Sequence, residues 1–566
     1  MELNLRIAGE AGQGIETTGS VLIGALAGLG LHVFSTQDYM SRIRGGLNWF
    51  DIRIADKELF AGTRKTDLLV AFTQEALETL RPDVRAGGLI LFEGEGAPGV
   101  LSLPFTQTAT DVGGSTIMAN AVTAGAVFAL LGSDLEALSA QLKTTLADKG
   151  ADVVEKNIAC ARAGAALAAD HAGSLTAPAG AGAPEHVYSG GDAVGLAAAT
   201  AGVKFVTSYP MSPSTAVFTY LAGVADEYGI VVEQAEDEIA AINMICGAAY
   251  AGVPAMTTTS GGGLALMSEG ISLAGIIEQP VFIFVAQRPG PATGLPTRTA
   301  QEDLRLALHA GHGEFPRAIY APGTIQQAYD LTRRAIETAH RFRSPAILLA
   351  DQFLVDSRKN VAALDETLRP INRHIVDGPP EGYLSYALTE DGVSPRALPG
   401  SSAFVVADSH VHSEDGHITE DAQMTVRMQD KRTAKGAGLT ADALPPELYG
   451  PHKADHLLIC WGSTYGPCRE AVDTLNAGGA SAAGASFASA SFAMLHFAQV
   501  WPLDAAAVRR TIGSVGARAI TCIEGNASGQ FASLLRQTGA LDTCELMLRY
   551  DGRPFMAGDI ATRVAQ

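Results

Sequence analysis

Short apolar runs bounded by turn residues alternate along this chain with stretches of helical periodicity. Residues 3–8, 32–35, 67–72 and 88–92 read as buried strands, and an Ala/Leu/Gly helix over about 17–29 follows the first. A second series has strands at 205–208, 255–259, 280–286 and 344–350, with a helix at 326–341 whose charged face is regular. A third has strands at 456–460 and 519–524 around a helix at 467–475. Strands alternating with helices predict α/β domains on parallel sheets. Between the first two series lies HAGSLTAPAGAGAP, whose small residues and prolines bury little and read as a flexible linker. Residues 366–450 show poor periodicity and are rich in Pro, Gly, Asp and His, as in a functional or partner-facing loop region. The expected boundaries are 1–172, a linker at 173–187, 188–365, an irregular region at 366–454, and 455–566.

Composition narrows the class. At 566 residues, 47% apolar and 18% charged, the chain has material for several cores and is not mainly disordered. The 62 glycines fit closely packed layers and tight turns. A net charge of −20 argues against nucleic acid or an anionic membrane as main partner. The start, MELNLRIAGEAGQG, lacks a signal peptide's basic and apolar regions, and the most apolar stretch, 264–285, is broken by Glu269, Glu278 and Pro280. The expectation is a soluble, cytoplasmic protein with reduced thiols. Its six cysteines form no CxxC pair, so a zinc ribbon or ferredoxin-type cluster is excluded on spacing, and no metal ligand set is expected.

Candidate chemistry sits at strand ends. Gly9, Gly12, Gln13 and Gly14 form a GxxGxG turn between strand and helix, fit either for phosphate or for a tight turn without ligand. Arg42 and Arg44 precede Gly45-Gly46 and suit an anion or a polar surface turn. In Tyr209-Pro210-Met211-Ser212-Pro213-Ser214 two prolines fix Ser212 beyond a strand, while Ser214 or Thr215 can cap the next helix. Glu236-Asp237-Glu238 opens a helix; acids there complement the helix dipole, but Glu238 leads straight into an apolar run, as an acid/base group would. Ser260-Gly261-Gly262-Gly263 permits close approach of a ligand. Arg288 lies at the base of a Pro/Gly-stiffened loop carrying Thr297, placed to hold a carboxylate or to sit in an exposed basic loop. His410, His412, Glu414, Asp415 and His417 are a short cluster without sustained metal geometry, read as a solvated or interface loop.

Taken in order, GxxGQG, IRGG, YPMSPS, EDEIAAINM, SGGG, QRPGPATGLPT, GHGEFPR and GHITED resemble the 2-oxoacid:ferredoxin oxidoreductases, in particular an alpha subunit in which gamma and alpha modules are fused. The resemblance spans nearly the whole chain. It implies a multi-domain α/β fold: a gamma-type domain, a thiamine diphosphate pyrimidine-binding module at 188–365, and a transketolase-C-like C-terminal domain. It implies that Glu238 contacts the aminopyrimidine, favouring the imino tautomer whose nitrogen takes the thiazolium C2 proton. Tyr209, Pro210, Ser260 and Gly261 would line the cofactor, Ser212 and Arg288 would meet the substrate carboxylate, and Thr297 would add a hydroxyl. Ser212 replaces the family's usual threonine, and SGGG its SGPG. Gly12, Gln13, Gly14 and Arg44 would be the contacts for coenzyme A or phosphate.

The chain has no Gly-Asp-Gly and no Asn-Asn pair for Mg²⁺ and diphosphate. The resemblance therefore implies a beta subunit that supplies diphosphate binding, Mg²⁺ and a [4Fe–4S] cluster, in an (alpha-beta)2 assembly that passes electrons to ferredoxin. The implied reaction is CoA-dependent oxidative decarboxylation, with 2-oxoglutarate favoured by analogy. Pyruvate or branched 2-oxoacids, a different thiamine enzyme's half-subunit, and a nucleotide-binding scaffold remain as alternatives.

Overall fold

A computed structural model describes residues 1–41, 45–94, 96, 98–184, 186–478 and 490–566. It divides into two compact units, each described by itself. One comprises 1–189 with 357–363 and 556–558, and the other comprises 190–356, 364–555 and 559–566.

The first unit is built on an eight-stranded sheet ordered Leu101–Ser102, Val84–Phe92, Thr66–Ala71, Glu2–Glu10, Leu47–Ala55, His32–Asp38, Arg358–Val361, His186–Ser189. The parallel sheet expected from sequence forms from Glu2–Glu10 to Leu101–Ser102, while the other side of the sheet is antiparallel. Leu47–Ala55, missed by that reading, runs antiparallel to both its neighbours. This strand alternates buried Phe50, Ile52 and Ile54 with Asp51 and Arg53, and the charges survive burial because each is paired. Arg6 donates to Asp51 at 2.8 Å, and Arg53 donates to Glu2 at 2.8 Å. The small residues have a packing use: a methyl on Gly125 would stand 1.8 Å from Ala161 O, and one on Gly164 1.9 Å from Val122 O. Helices Ala119–Leu130 and Ala151–Leu167 are thus in backbone contact. Residues 172–184 have no helix or strand, but they are not detached. The Ala181 and Ala183 N–H groups both donate to Gly30 O, at 2.9 and 3.2 Å.

The second unit carries two sheets. The larger is ordered Gln499–Trp501, Ala318–Tyr320, Ala346–Asp351, Phe282–Gln287, Ala255–Thr259, Phe205–Ser208, Val231–Gln234, and is parallel except at Gln499–Trp501. The smaller is ordered Glu447–Tyr449, Phe492–Phe497, His456–Trp461, Ala519–Glu524, Glu545–Leu548, with only Glu447–Tyr449 antiparallel. One apolar core runs through both, including Ile283, Val285, Ile347, Trp461 and Phe531.

Within 366–454, read from sequence as irregular, residues Ala422–Ala441 form a 20-residue helix capped by Asp421, whose carboxylate accepts the Met424 N–H at 2.7 Å. Its buried face is Met428, Lys431, Arg432, Lys435 and Leu439, so charged residues occupy positions where apolar ones would reveal the period. Lys431 and Lys435 converge on Glu278, at 2.7 and 2.5 Å, with all three side chains at most 2% exposed. No single helix among the described residues is long and apolar enough to cross a membrane.

Candidate active site

Four adjacent parallel strands of the larger sheet end on one side, and the residues that follow them converge. The order Phe282–Gln287, Ala255–Thr259, Phe205–Ser208, Val231–Gln234 delivers in turn Arg288, Ser260, the Tyr209–Ser212 turn and the helix Glu238–Tyr250. Carboxyl ends of parallel strands are where α/β sheets hold ligands.

The three acids at the helix start separate by role. Glu236 is exposed. Asp237 is the N-cap, its Oδ1 accepting the Ala240 N–H at 2.7 Å. Glu238 turns inward and is 2% exposed, and its Oε1 is buried without a hydrogen-bond partner. Burial pushes its carboxyl above the usual range and Asp237 adds to this, while Arg288 opposes it.

The glycine turn is shaped to these groups. A methyl on Gly263 would lie 2.0 Å from Thr259 Oγ1 and 2.5 Å from Glu238 Oε1, whereas one on Gly262 would meet nothing within 4 Å. Ser260 is fully buried and opens helix Gly261–Leu266, yet its Oγ makes no cap bond and has no partner; Thr257 Oγ1 is likewise buried and unpartnered.

The Tyr209–Ser214 turn is closed by Ser214, whose Oγ donates to Met211 O at 2.7 Å. Ser212 is half-buried. Its carbonyl accepts from Arg288 Nη1 at 2.7 Å, and among the described residues its hydroxyl has no partner. Tyr209 and Pro210 are exposed at the rim. Burial lowers the Arg288 pKa, while Asp303 and Glu238 act against that. Thr297 is buried in the loop that follows Arg288. The structure thus joins Arg288 to Ser212 and brings Glu238 to the glycine turn.

Sequence reading missed Asp303. Its carboxyl abuts Gly261, its Oδ2 is buried and unpartnered, and burial, helped by Glu302 and opposed by Arg288, pushes it up to about 6. In the sequence it is merely an acid before a short helix, the place of a cap.

In the first unit, Gly12 and Gly14 take positive φ, and Gln13 folds back so that its Oε1 accepts the Glu10 N–H at 2.7 Å. Arg44 lies outside the described residues. The 410–417 residues do not converge on one point: His410 bonds Asp408 at 2.7 Å, His417 meets Asp415 at 3.2 Å, and His412 is buried against Tyr386, with ring centroids 4.0 Å apart. No group of three or more His, Cys, Asp or Glu suited to a metal occurs among the described residues.

Glu238 Oε1, Ser260 Oγ and Thr257 Oγ1 are each buried without a partner, and Glu238 abuts a turn without side chains, a donor and acceptor set that fits a planar heteroaromatic ring with an amino substituent. Two family models match: residues 196–431 fit the thiamine diphosphate-binding part of pyruvate flavodoxin/ferredoxin oxidoreductase, and residues 4–167 fit pyruvate ferredoxin/flavodoxin oxidoreductase. The solved structure of 2-oxoglutarate:ferredoxin oxidoreductase from Magnetococcus marinus, with 2-oxoglutarate, coenzyme A and succinyl-CoA bound, is 30% identical. It superposes with a TM-score of 0.90 over 100% of both chains. Subunit alpha of 2-oxoacid:ferredoxin oxidoreductase 2 from Aeropyrum pernix is 28% identical over 100% of this chain and 97% of its own. The 2-oxoglutarate oxidoreductase subunit KorA of Mycobacterium tuberculosis is 29% identical over 82% of this chain and 79% of its own.

Proposed function

The chain belongs to the 2-oxoacid:ferredoxin oxidoreductases as an alpha subunit, and on that premise we propose that its strand-end site works on 2-oxoglutarate. The products would be succinyl-CoA and CO2, with two electrons passed singly to ferredoxin. The observation that carries the reading is the buried Glu238 carboxyl with an unpartnered oxygen at a glycine turn. The substrate assignment draws on the full-length likeness to a 2-oxoglutarate enzyme.

Thiamine diphosphate, when bound, supplies the nucleophilic carbon that adds to the oxoacid carbonyl and the electron sink for decarboxylation. This chain's residues hold its pyrimidine end. Glu238 Oε1, buried away from water and unpartnered, would hydrogen-bond the ring nitrogen. Ser260 and Gly261 line the ring, with Tyr209 and Pro210 at the rim. Arg288 pairs with the substrate carboxylate: one nitrogen is engaged by Ser212 O, and a guanidinium has five N–H donors. The Ser212 hydroxyl and Thr297 complete the carboxylate contacts. Residues 188–365 are the pyrimidine-binding module in this reading. Gly12, Gln13, Gly14 and Arg44 of the gamma-type domain, 1–172, meet coenzyme A, and 173–187 joins the two; 366–454 faces the partner, and 455–566 is the transketolase-C-like domain. A beta subunit brings the diphosphate site, Mg²⁺ and a [4Fe–4S] cluster, in an (alpha-beta)2 complex acting in the cytoplasm.

The test is to purify the chain with its natural partner and assay a panel of 2-oxoacids with CoA and a low-potential acceptor. Glu238→Gln should assemble normally and lose about 10²-fold or more of CoA-dependent dye reduction. Full activity in that variant would refute the assignment of Glu238, and a preference for pyruvate would refute the substrate.

A further inference from the structure

The second unit carries an open groove of about 1050 Å³, and none of Ser212, Glu238, Ser260 or Arg288 lines it. Its apolar lining is gathered from segments far apart in sequence. Leu308 comes from helix Leu304–His309, Leu439 from helix Ala422–Ala441 and Leu534 from helix Gln530–Gln537, with Phe315, Trp501 and Leu503 between them. That size and lining suit a small molecule with an apolar body. Arg317 also lines the groove and is only 6% exposed. Its guanidinium is fixed twice. Nη1 donates to Ala307 O at 3.1 Å and to Ala310 O at 2.5 Å, at the end of helix Leu304–His309, and the guanidinium carbon lies 4.6 Å from the centre of the Phe315 ring. Among the described residues Nε and Nη2 have no hydrogen-bond partner and no acid pairs with the group. Neither nitrogen is sealed in by protein, so this edge is what Arg317 offers to the groove. Burial pushes its pKa down to about 10 with no acid acting against it, which leaves the group charged at neutral pH. The carboxylate in the lining, Glu314, is exposed and makes no ion pair with Arg317, and His309 is exposed as well. Capping the helix accounts for Nη1 alone, while a buried charge is normally matched by a counter-charge.

We propose that this groove is a binding site for a small organic acid with an apolar body, whose carboxylate pairs with Nε and Nη2 of Arg317. Those two nitrogens give a carboxylate parallel N–H donors, a geometry that a neutral head group of the same size does not match. The apolar body lies along Phe315, Leu439 and Trp501, and the ligand supplies the counter-charge that Arg317 lacks within the chain.

The experiment titrates octanoate, and octanol as its uncharged counterpart, into the full chain alone and into its complex with the beta partner. Binding is followed by calorimetry and by the fluorescence of Trp501, identified by its loss in Trp501→Phe. The expected result is saturable octanoate binding in both preparations, with octanol weaker by about tenfold or more. Arg317→Gln should bring octanoate down to the affinity of octanol and leave octanol within about twofold of its parent value. Gly436 lines the groove from helix Ala422–Ala441, and a methyl there meets nothing within 4 Å, so Gly436→Leu fills the groove without touching Arg317 and should abolish binding of both probes. Equal affinities for octanoate and octanol, an Arg317→Gln variant that binds octanoate as the parent does, or binding that survives Gly436→Leu would each overturn the proposal. Binding to the chain alone but not to the complex would show that the partner subunit covers the groove, and would overturn it too. If Arg317→Gln does not fold, the preference of the parent for octanoate and the effect of Gly436→Leu decide the matter together.

Discussion

Replacing Glu278 by glutamine removes the carboxylate that two lysines share inside the second unit. Lys431 Nζ donates to both its oxygens, at 2.7 and 2.8 Å, and Lys435 Nζ donates to Oε2 at 2.5 Å. Main-chain bonds lock the same cluster, with Arg343 Nε donating to Glu278 O and Lys435 Nζ to Arg343 O, both at 3.1 Å. Glu278 and Arg343 each hold a left-handed backbone, φ 50° and 47°, which a residue with a side chain adopts only where its surroundings fix it. Burial favours the neutral Glu278, but Lys435, Lys431 and Arg343 outweigh it and keep the carboxyl ionised far below the usual range. Removing one partner of a buried ionic cluster costs about 3–5 kcal/mol, because the remaining charges stay buried. Burial already lowers Lys435 to about 7, against the pull of Glu278. Without that pull it falls further, and the variant can shed one charge by losing a proton. The expected cost at pH 8 is therefore near the low end, about 3 kcal/mol. At about 2.1 cal/mol/K of unfolding entropy per residue this lowers the second unit's Tm by about 4 °C.

The sign of the pH effect follows from proton counting. Between the variant's lowered Lys435 pKa and about 7, the folded parent holds a proton that the folded variant has released, so the stability gap narrows as pH rises. Thermal unfolding of parent and Glu278→Gln at pH 6 and pH 8 checks this, with the larger deficit expected at pH 6. A second variant, Glu278→Leu with Lys431→Met and Lys435→Met, removes every charge of the trio and should be more stable than Glu278→Gln. A Glu278→Gln Tm within 1 °C of the parent at both pH values, or a triple variant no better than the single, would refute the reasoning.

Asp351 ends strand Ala346–Asp351, and burial raises its carboxyl to about 6 against bonds from Ser463 at 2.5 Å and the Leu354 N–H at 3.0 Å. The folded form thus keeps a proton that the unfolded chain releases, and stability falls as pH rises between the usual aspartate value and 6; two units correspond to about 3 kcal/mol. Asp351→Asn should unfold close to the parent at pH 4 and higher at pH 7, and a gap that fails to grow with pH counts against this. At the glycine turn, Gly263→Ala should displace Glu238 and abolish turnover in the complex, since its methyl would stand 2.5 Å from Oε1. Gly262→Pro, where a methyl meets nothing and the first helical turn needs no intrahelical N–H bond, should keep activity and gain about 0.4–1 kcal/mol; the opposite ranking of the two variants would sink this account of the turn.

What the sequence made legible is what local patterning encodes. Strands such as Phe282–Gln287 and Ala346–Asp351 are continuous apolar runs, and the strand-end residues Ser212, Glu238, Ser260 and Arg288 stood out because turn chemistry surrounds them. Two of the features that escaped share one cause: charged residues at buried positions whose partners are distant in sequence. Leu47–Ala55 hides its period behind Asp51 and Arg53, which are neutralised by Arg6 and Glu2 some fifty residues earlier. Helix Ala422–Ala441 hides its buried face behind lysines that answer to Glu278, more than 150 residues away. Asp303 looks like a helix cap until the fold sets it against Gly261. Hydrophobic periodicity assumes that buried means apolar, and that assumption fails where burial is made tolerable by a partner the local window does not contain. The same reasoning resolves the acidic triplet before Glu238–Tyr250: an exposed acid, a capping acid and a buried acid are indistinguishable by composition. Only the helix phase, fixed once Asp237 caps Ala240, turns Glu238 and not Glu236 into the site.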